Sequence, residues 1–137
     1  MNKAEVAKLK VELRAAEKGW ITSRTAEGAR YDIVLDNRTR LYRVQVKYVS
    51  CASANATGAV QVGLRRWAGD GRDKPRGRTR VYTADEVDAL VVYVPQVDKL
   101  CWFNPDMFAG RVAFNLRYEQ PKNGQKTGLW FVQDFIW

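Results

Sequence analysis

The chain has 137 residues, an apolar fraction of 46%, a net charge of +8 and a pI near 9.7, enough for a single domain spanning 1–137 with a core that needs neither disulfides nor metals. No run approaches the roughly 18 apolar residues of a membrane span, and the opening MNKAEVAKLK is charged where a secretory leader is apolar; a soluble, cytoplasmic protein is expected. The absence of histidine excludes Ser-His-Asp and Cys-His catalysis and H-E-x-x-H zinc sites, so any hydrolysis must run on carboxylates, lysine and a hard metal ion. Cys51 and Cys101 lie far apart with no C-x-x-C spacing, which reads as two reduced structural cysteines.

The positive charge is concentrated. Between Arg65 and Arg80 stand seven basic residues, Arg65, Arg66, Arg72, Lys74, Arg76, Arg78 and Arg80, against two acids, Asp70 and Asp73. This pattern favours a polyanionic partner, and nucleic acid ahead of a membrane because no amphipathic helix presents a basic face.

In chain order, the first element is a helix over Lys3–Lys18, capped by Asn2 and ended by Gly19. Val6, Leu9, Leu13 and Ala16 recur at helical spacing and are expected to form its buried stripe. At about 100° per residue, Glu5 and Glu12 fall close together on the margin of that stripe, placed to lean into a neighbouring cleft. A strand over Trp20–Ser23 and a turn over Thr25–Gly28 follow. Tyr31–Leu35 and Leu41–Val49 read as two further strands, the second alternating Leu41, Arg43, Gln45 and Lys47 with Tyr42, Val44, Val46 and Tyr48.

Asp36, Asn37, Arg38 and Thr39 supply turn chemistry between these two strands and make them an antiparallel hairpin. If the connection is the four-residue loop Asn37–Arg40, Asp36 pairs with Leu41 and Asp32 comes opposite Gln45. Asp32, Gln45 and Lys47 then share one face. A slip of one residue would turn Asp32 to the other.

Beyond the hairpin, Ser50–Thr57 reads as a loop, Ala59–Leu64 as a strand and Gly69–Gly77 as irregular chain. Thr83-Ala84-Asp85-Glu86 has the form of a capping box opening a short helix. Leu90–Val94 is an apolar run expected to be a buried central strand, followed by a strand over Leu100–Phe103. Asn104-Pro105 is placed to open another short helix, Arg111–Leu116 to form a last strand and Pro121–Gly128 to turn. The aromatic tail LWFVQDFIW is expected to pack on the core or on a second subunit.

A helix bearing a glutamate, then a strand with Asp, then a strand with [Glu/Asp/Gln]-x-Lys resembles the PD-(D/E)XK nuclease superfamily. RYDIVLD…LYRVQVKY is similar to the branch with Gln-x-Lys, which holds group I intron homing endonucleases, and YTADEVDALVVYVP extends the resemblance over most of the chain. The proline ahead of the aspartate is absent, and Lys8 stands where an alignment on Gly19 expects the helix glutamate. The resemblance implies an α/β fold with a restriction-endonuclease-like mixed β-sheet core flanked by helices.

It also implies a Mg²⁺-dependent (or Mn²⁺-dependent) endonuclease that hydrolyses phosphodiester bonds in double-stranded DNA. Sequence-specific cutting by a homodimer or homotetramer belongs to the same expectation, as one site must pair with another to cut both strands. Asp32 is then a metal ligand, Gln45 offers a neutral amide oxygen, and Lys47 orients the attacking water or stabilises charge on the phosphorane. Glu5 is the further carboxylate suggested by the opening NKAE, with Glu12 in reserve. Arg30 and Arg43 are placed to grip phosphates. A structure-selective nuclease for junctions or mismatches, and a DNA-binding module without catalysis, are the alternatives.

Overall fold

The computed structural model describes residues 1–53, 57–67, 79–125 and 127–137, and the side chains of 65–67, 79 and 80 lie outside that description. Asn2 accepts the backbone N–H of Glu5 at 3.1 Å and opens helix α1, Lys3–Glu17. Gly19, at a φ of +74°, ends it in the left-handed region that glycine enters without steric cost. The buried face of α1 differs from the expected one. Ala7, Val11 and Ala15 are wholly buried, Val6 is half-buried, and Leu9 and Leu13 are 54% and 61% exposed. Two apolar stripes compete on this helix, and the sheet selects the smaller because Trp20, Tyr42, Tyr48 and Tyr93 already fill the space beneath it.

Five strands form the central sheet. They are β1 (Ile21–Arg24), β2 (Ile33–Asp36), β3 (Leu41–Tyr48), and two strands from the second half of the chain, Ala89–Val94 and Lys99–Phe103. Between these halves lie β4 (Ala59–Gly63), β5 (Arg65–Trp67) and β6 (Thr79–Val81), so the two later strands are β7 and β8. The order is β1-β2-β3-β7-β8, with β3 and β7 parallel and every other neighbour antiparallel. The hairpin register is the expected one, since Asp36 pairs with Leu41 and Ile33 with Val44. Arg38 takes a φ of +76° at its tip, and the Asn37 carboxamide accepts the N–H groups of Thr39 and Arg40.

Every residue of β7 is buried, as a central strand requires. Its alternation divides the core. Ala89, Val91 and Tyr93 face α1, whereas Leu90, Val92 and Val94 face a second layer. That layer holds the short helix α2 (Pro105–Phe108), strand β9 (Ala113–Arg117) paired antiparallel with β4, and the aromatic tail. Trp130 and Phe135 pack against Phe103 there, and Trp137 packs against Trp20 and Trp102 on the other side. The tail therefore seats on the core. Each fully buried Val, Leu or Phe in these layers contributes about 1.5–3 kcal/mol.

One further expectation needs correction. Thr83–Glu86 forms a single turn rather than a helix: the Glu86 and Val87 N–H groups both bond Thr83 O, and the buried Val87 leads straight into β7. The irregular stretch expected at Gly69–Gly77 lies outside the described residues, with β5 and β6 pairing on either side of it. Among the described residues no helix is long and apolar enough to cross a membrane.

Candidate active site

Asp32 stands one residue before β2, where the β2–β3 ladder ends. Its N–H donates to Val44 O at 2.8 Å rather than continuing the ladder to Gln45. Its carboxylate Oδ2 accepts the backbone N–H of Val46 at 2.9 Å, replacing the strand partner that β2 no longer supplies. The Gln45 carboxamide leans on the same residue, Nε2 donating to Val46 O at 3.4 Å. Val46 thus joins Asp32 and Gln45 through its backbone alone. Gln45 is only 9% exposed, and its Oε1 is buried without a hydrogen-bond partner, a costly arrangement for an amide oxygen.

Lys47 follows on the face of Gln45, since Gln45 and Lys47 pair with Leu90 and Val92 of the parallel neighbour. Its ammonium lies 5.6 Å from the ring centre of buried Tyr82, and the Arg30 guanidinium lies 4.8 Å from the same ring. Arg30 also donates to Val81 O at 2.9 Å and pairs with Glu86 at 2.9 Å. Beside Lys47 opens a cleft of about 480 Å³, reached also by Lys3, Cys51, Gln61 and Gly63.

The helix acids are held elsewhere. Arg24, opposite Ile33 in the sheet, grips Glu5 with two hydrogen bonds of 2.8 and 2.9 Å and Glu12 with bonds of 2.6 and 3.2 Å. These bonds hold the Glu5 carboxyl below its usual range and raise the Arg24 guanidinium above its own. Among the described residues no three His, Cys, Asp or Glu side chains cluster as a metal site. The structure therefore brings Asp32, Gln45 and Lys47 to one end of the hairpin and attaches Glu5 and Glu12 to Arg24.

Of the basic segment, Arg65, Arg66 and Arg80 fall on β5 and β6 with side chains outside the description, and Arg72, Lys74, Arg76 and Arg78 lie outside the described residues. Arg43 bonds Asp88 through Nε at 2.9 Å and NH2 at 3.1 Å, so it locks the start of the β3–β7 pair. Sequence reasoning passed over Val46, Arg24 and Tyr82. Val46 contributes only backbone, which no side-chain pattern betrays; Arg24 reaches back 12 and 19 residues to the helix acids, and Tyr82 meets Arg30 and Lys47 from far along the chain.

The five-stranded mixed sheet, with α1 on one face and a second layer on the other, is the restriction-endonuclease-like fold. The sequence profile of the PD-(D/E)XK endonuclease family matches residues 1–136, and the chain belongs to that family. No curated protein matches it in sequence. Among solved structures it is similar to the bacterial homing endonuclease I-Ssp6803I, at 23% identity and a TM-score of 0.72 over 91% of this chain and 81% of that one. It is also similar to a Holliday junction resolvase of the archaeal hyperthermophile Archaeoglobus fulgidus, at 14% identity and a TM-score of 0.52 over 85% of this chain and 84% of that one.

Proposed function

We propose that the protein is a divalent-metal-dependent endonuclease that cuts double-stranded DNA at preferred sequences. The observation that carries this reading is the buried, unpartnered Oε1 of Gln45 beside the Asp32–Val46 contact. Asp32, through the oxygen not given to Val46, Gln45 Oε1 and the Val46 carbonyl are the groups that would hold the ion. All three are oxygen donors, the set preferred by Mg²⁺ or Mn²⁺. When bound, the ion supplies polarisation of a phosphoryl oxygen and a water of lowered pKa.

The chain's own residues do the rest. The Val46 N–H fixes the Asp32 carboxylate in one orientation. Lys47, steadied over Tyr82, places a positive charge where the phosphorane becomes more negative, or holds the attacking water. Arg30 stacks on the same ring and keeps that wall in place. Glu5 and Glu12 remain with Arg24, which leaves Asp32 as the one carboxylate we assign to the ion. One such site per chain implies that two copies act together on a duplex.

Purified protein should nick or cut duplex DNA with Mg²⁺, and Asp32→Ala or Lys47→Ala should abolish cutting while binding persists. Full cutting by Asp32→Ala would dismiss the site. Binding without cutting in any divalent metal would indicate a DNA-binding module. A preference for four-way junctions over every linear duplex would indicate the structure-selective reading, for which the resolvase-like fold gives the motive.

A further inference from the structure

The ribbon formed by β4 and β9 turns Val60, Val62, Phe114 and Leu116 into the core. Of the alternate positions, Ala59 and Arg117 are buried at one end of the ribbon, while Gln61, Gly63, Ala113 and Asn115 face outward. Gln61 stands directly opposite Asn115, and Gly63 opposite Ala113. Gln61 and Asn115 are exposed, and among the described residues neither side-chain amide has a hydrogen-bond partner. Gly63 is the more telling. Its φ is not in the left-handed region, and among the described residues an added Cβ would meet nothing within 4 Å, so neither backbone conformation nor packing within these residues requires a glycine at the last position of β4. With no side chain there, the end of the strand leaves room for another molecule to approach the backbone closely.

The flanks are cationic. On one side the ribbon borders the cleft that holds Lys47 and Lys3. On the other it borders a depression of about 680 Å³ that holds Arg111 and Lys122. Among the described residues, neither is lined by a single acid. Arg111 is steadied over the Trp130 ring at 5.0 Å, whereas Arg117 is spent internally on Thr57 O and Glu119 O.

Resting on the nuclease reading above, we infer that the outward face of this ribbon lies in the DNA major groove and reads base edges through the Gln61–Asn115 pair. An antiparallel two-stranded ribbon fits that groove, and side-chain carboxamides bond the adenine N6 and N7 positions in pairs. Gly63 and Ala113 let the bases approach the strand. Lys47 and Lys3 on one flank, and Arg111 and Lys122 on the other, meet the two phosphate backbones. The ribbon sets the distance from the sequence read to the bond cut, because Gln61 and Lys47 line one cleft.

The test is selection from randomised duplexes by the full-length Asp32→Ala protein without metal, followed by affinity and salt titrations. Adding Asn115→Ala should flatten the preference at one or two adjacent base pairs and weaken the preferred site roughly tenfold, with the salt slope unchanged. Lys122→Ala should weaken all sequences equally and lower the slope by about one. Gly63→Val should weaken every duplex with no loss of thermal stability. The inference is overturned if the Gln61→Ala, Asn115→Ala protein selects the same sequence with the same affinity, or if the parent binds duplexes without any preference. In the first case the proposed function stands whole; in the second the nuclease activity stands and its sequence preference falls. Failure of the parent to bind any duplex would remove both.

Discussion

Arg24 holds both carboxylate oxygens of Glu5, at 2.8 and 2.9 Å, so the helix acid nearest the expected motif already has its cation. Glu5→Gln should therefore keep cutting within about threefold, whereas Asp32→Asn should lose at least about a hundredfold, as expected when an ion-holding group is removed. Mg²⁺ titrations of the two variants compare them directly. Equal losses would show that Glu5 leaves Arg24 to join the site.

Gln45 presents a conflict between stability and activity. Its buried Oε1 has no hydrogen-bond partner, so Gln45→Leu, of similar volume, should stabilise the protein in a chelator by about 1 kcal/mol. The same change should abolish cutting. Urea unfolding in a chelator together with a cleavage assay checks both halves, and a destabilised variant would show that the amide is already satisfied.

The two cysteines should differ sharply toward thiol reagents. Cys101 is buried, and burial pushes its pKa up to about 12, whereas Cys51 is exposed on the rim of the cleft beside Lys47. One equivalent of maleimide should add, at Cys51, and bound duplex should slow it. Mass spectrometry locates the adduct; labelling unaffected by saturating DNA would place the duplex elsewhere.

Asp88 gives the fold an acid limit. Hydrogen bonding from Arg43 holds its carboxyl below the ordinary range. A carboxylate depressed on folding stabilises above its unfolded pKa, near 4, and loses that contribution as pH falls through the lower folded value. Asp88→Asn should cost about 1 kcal/mol at pH 7, limited by the exposure of Arg43, and the difference from the parent should shrink once the pH is taken below the ordinary carboxylate range. Denaturant unfolding on either side of that range measures it.

Much of the frame was legible because it is local. Alternation over Leu41–Tyr48, the turn residues at Asn37 and the apolar run at Leu90 specify the hairpin and the central strand from neighbouring residues alone, whereas the register rested on a loop length that only the folded hairpin fixes. The helix face was not, because hydropathy ranks Leu9 and Leu13 above Ala7 and Ala15, while the aromatic surface under α1 admits only the smaller pair. The fate of Glu5 and Glu12 was hidden for a related reason. Arg24 reaches them from a strand whose position beside α1 exists only in the folded sheet. Thr83–Glu86 carries a good helix-opening pattern, and the burial of Val87 and the start of β7 override it.

The strand that carries Gln45 and Lys47 has neighbours of very different origin. On one edge it meets β2 through a tight turn; on the other it meets β7, with Val44 beside Ala89. Hairpin closure takes microseconds, whereas pairing across so long an intervening chain must first overcome a loop-closure entropy that slows it. The hairpin can thus close early with Asp32 and Gln45 already near one another, while Gln45 is still open to water. Burial of its amide waits for the parallel neighbour. The geometry we assign to the ion at this end of the sheet is accordingly a late product of folding, completed by a strand that shares none of the motif.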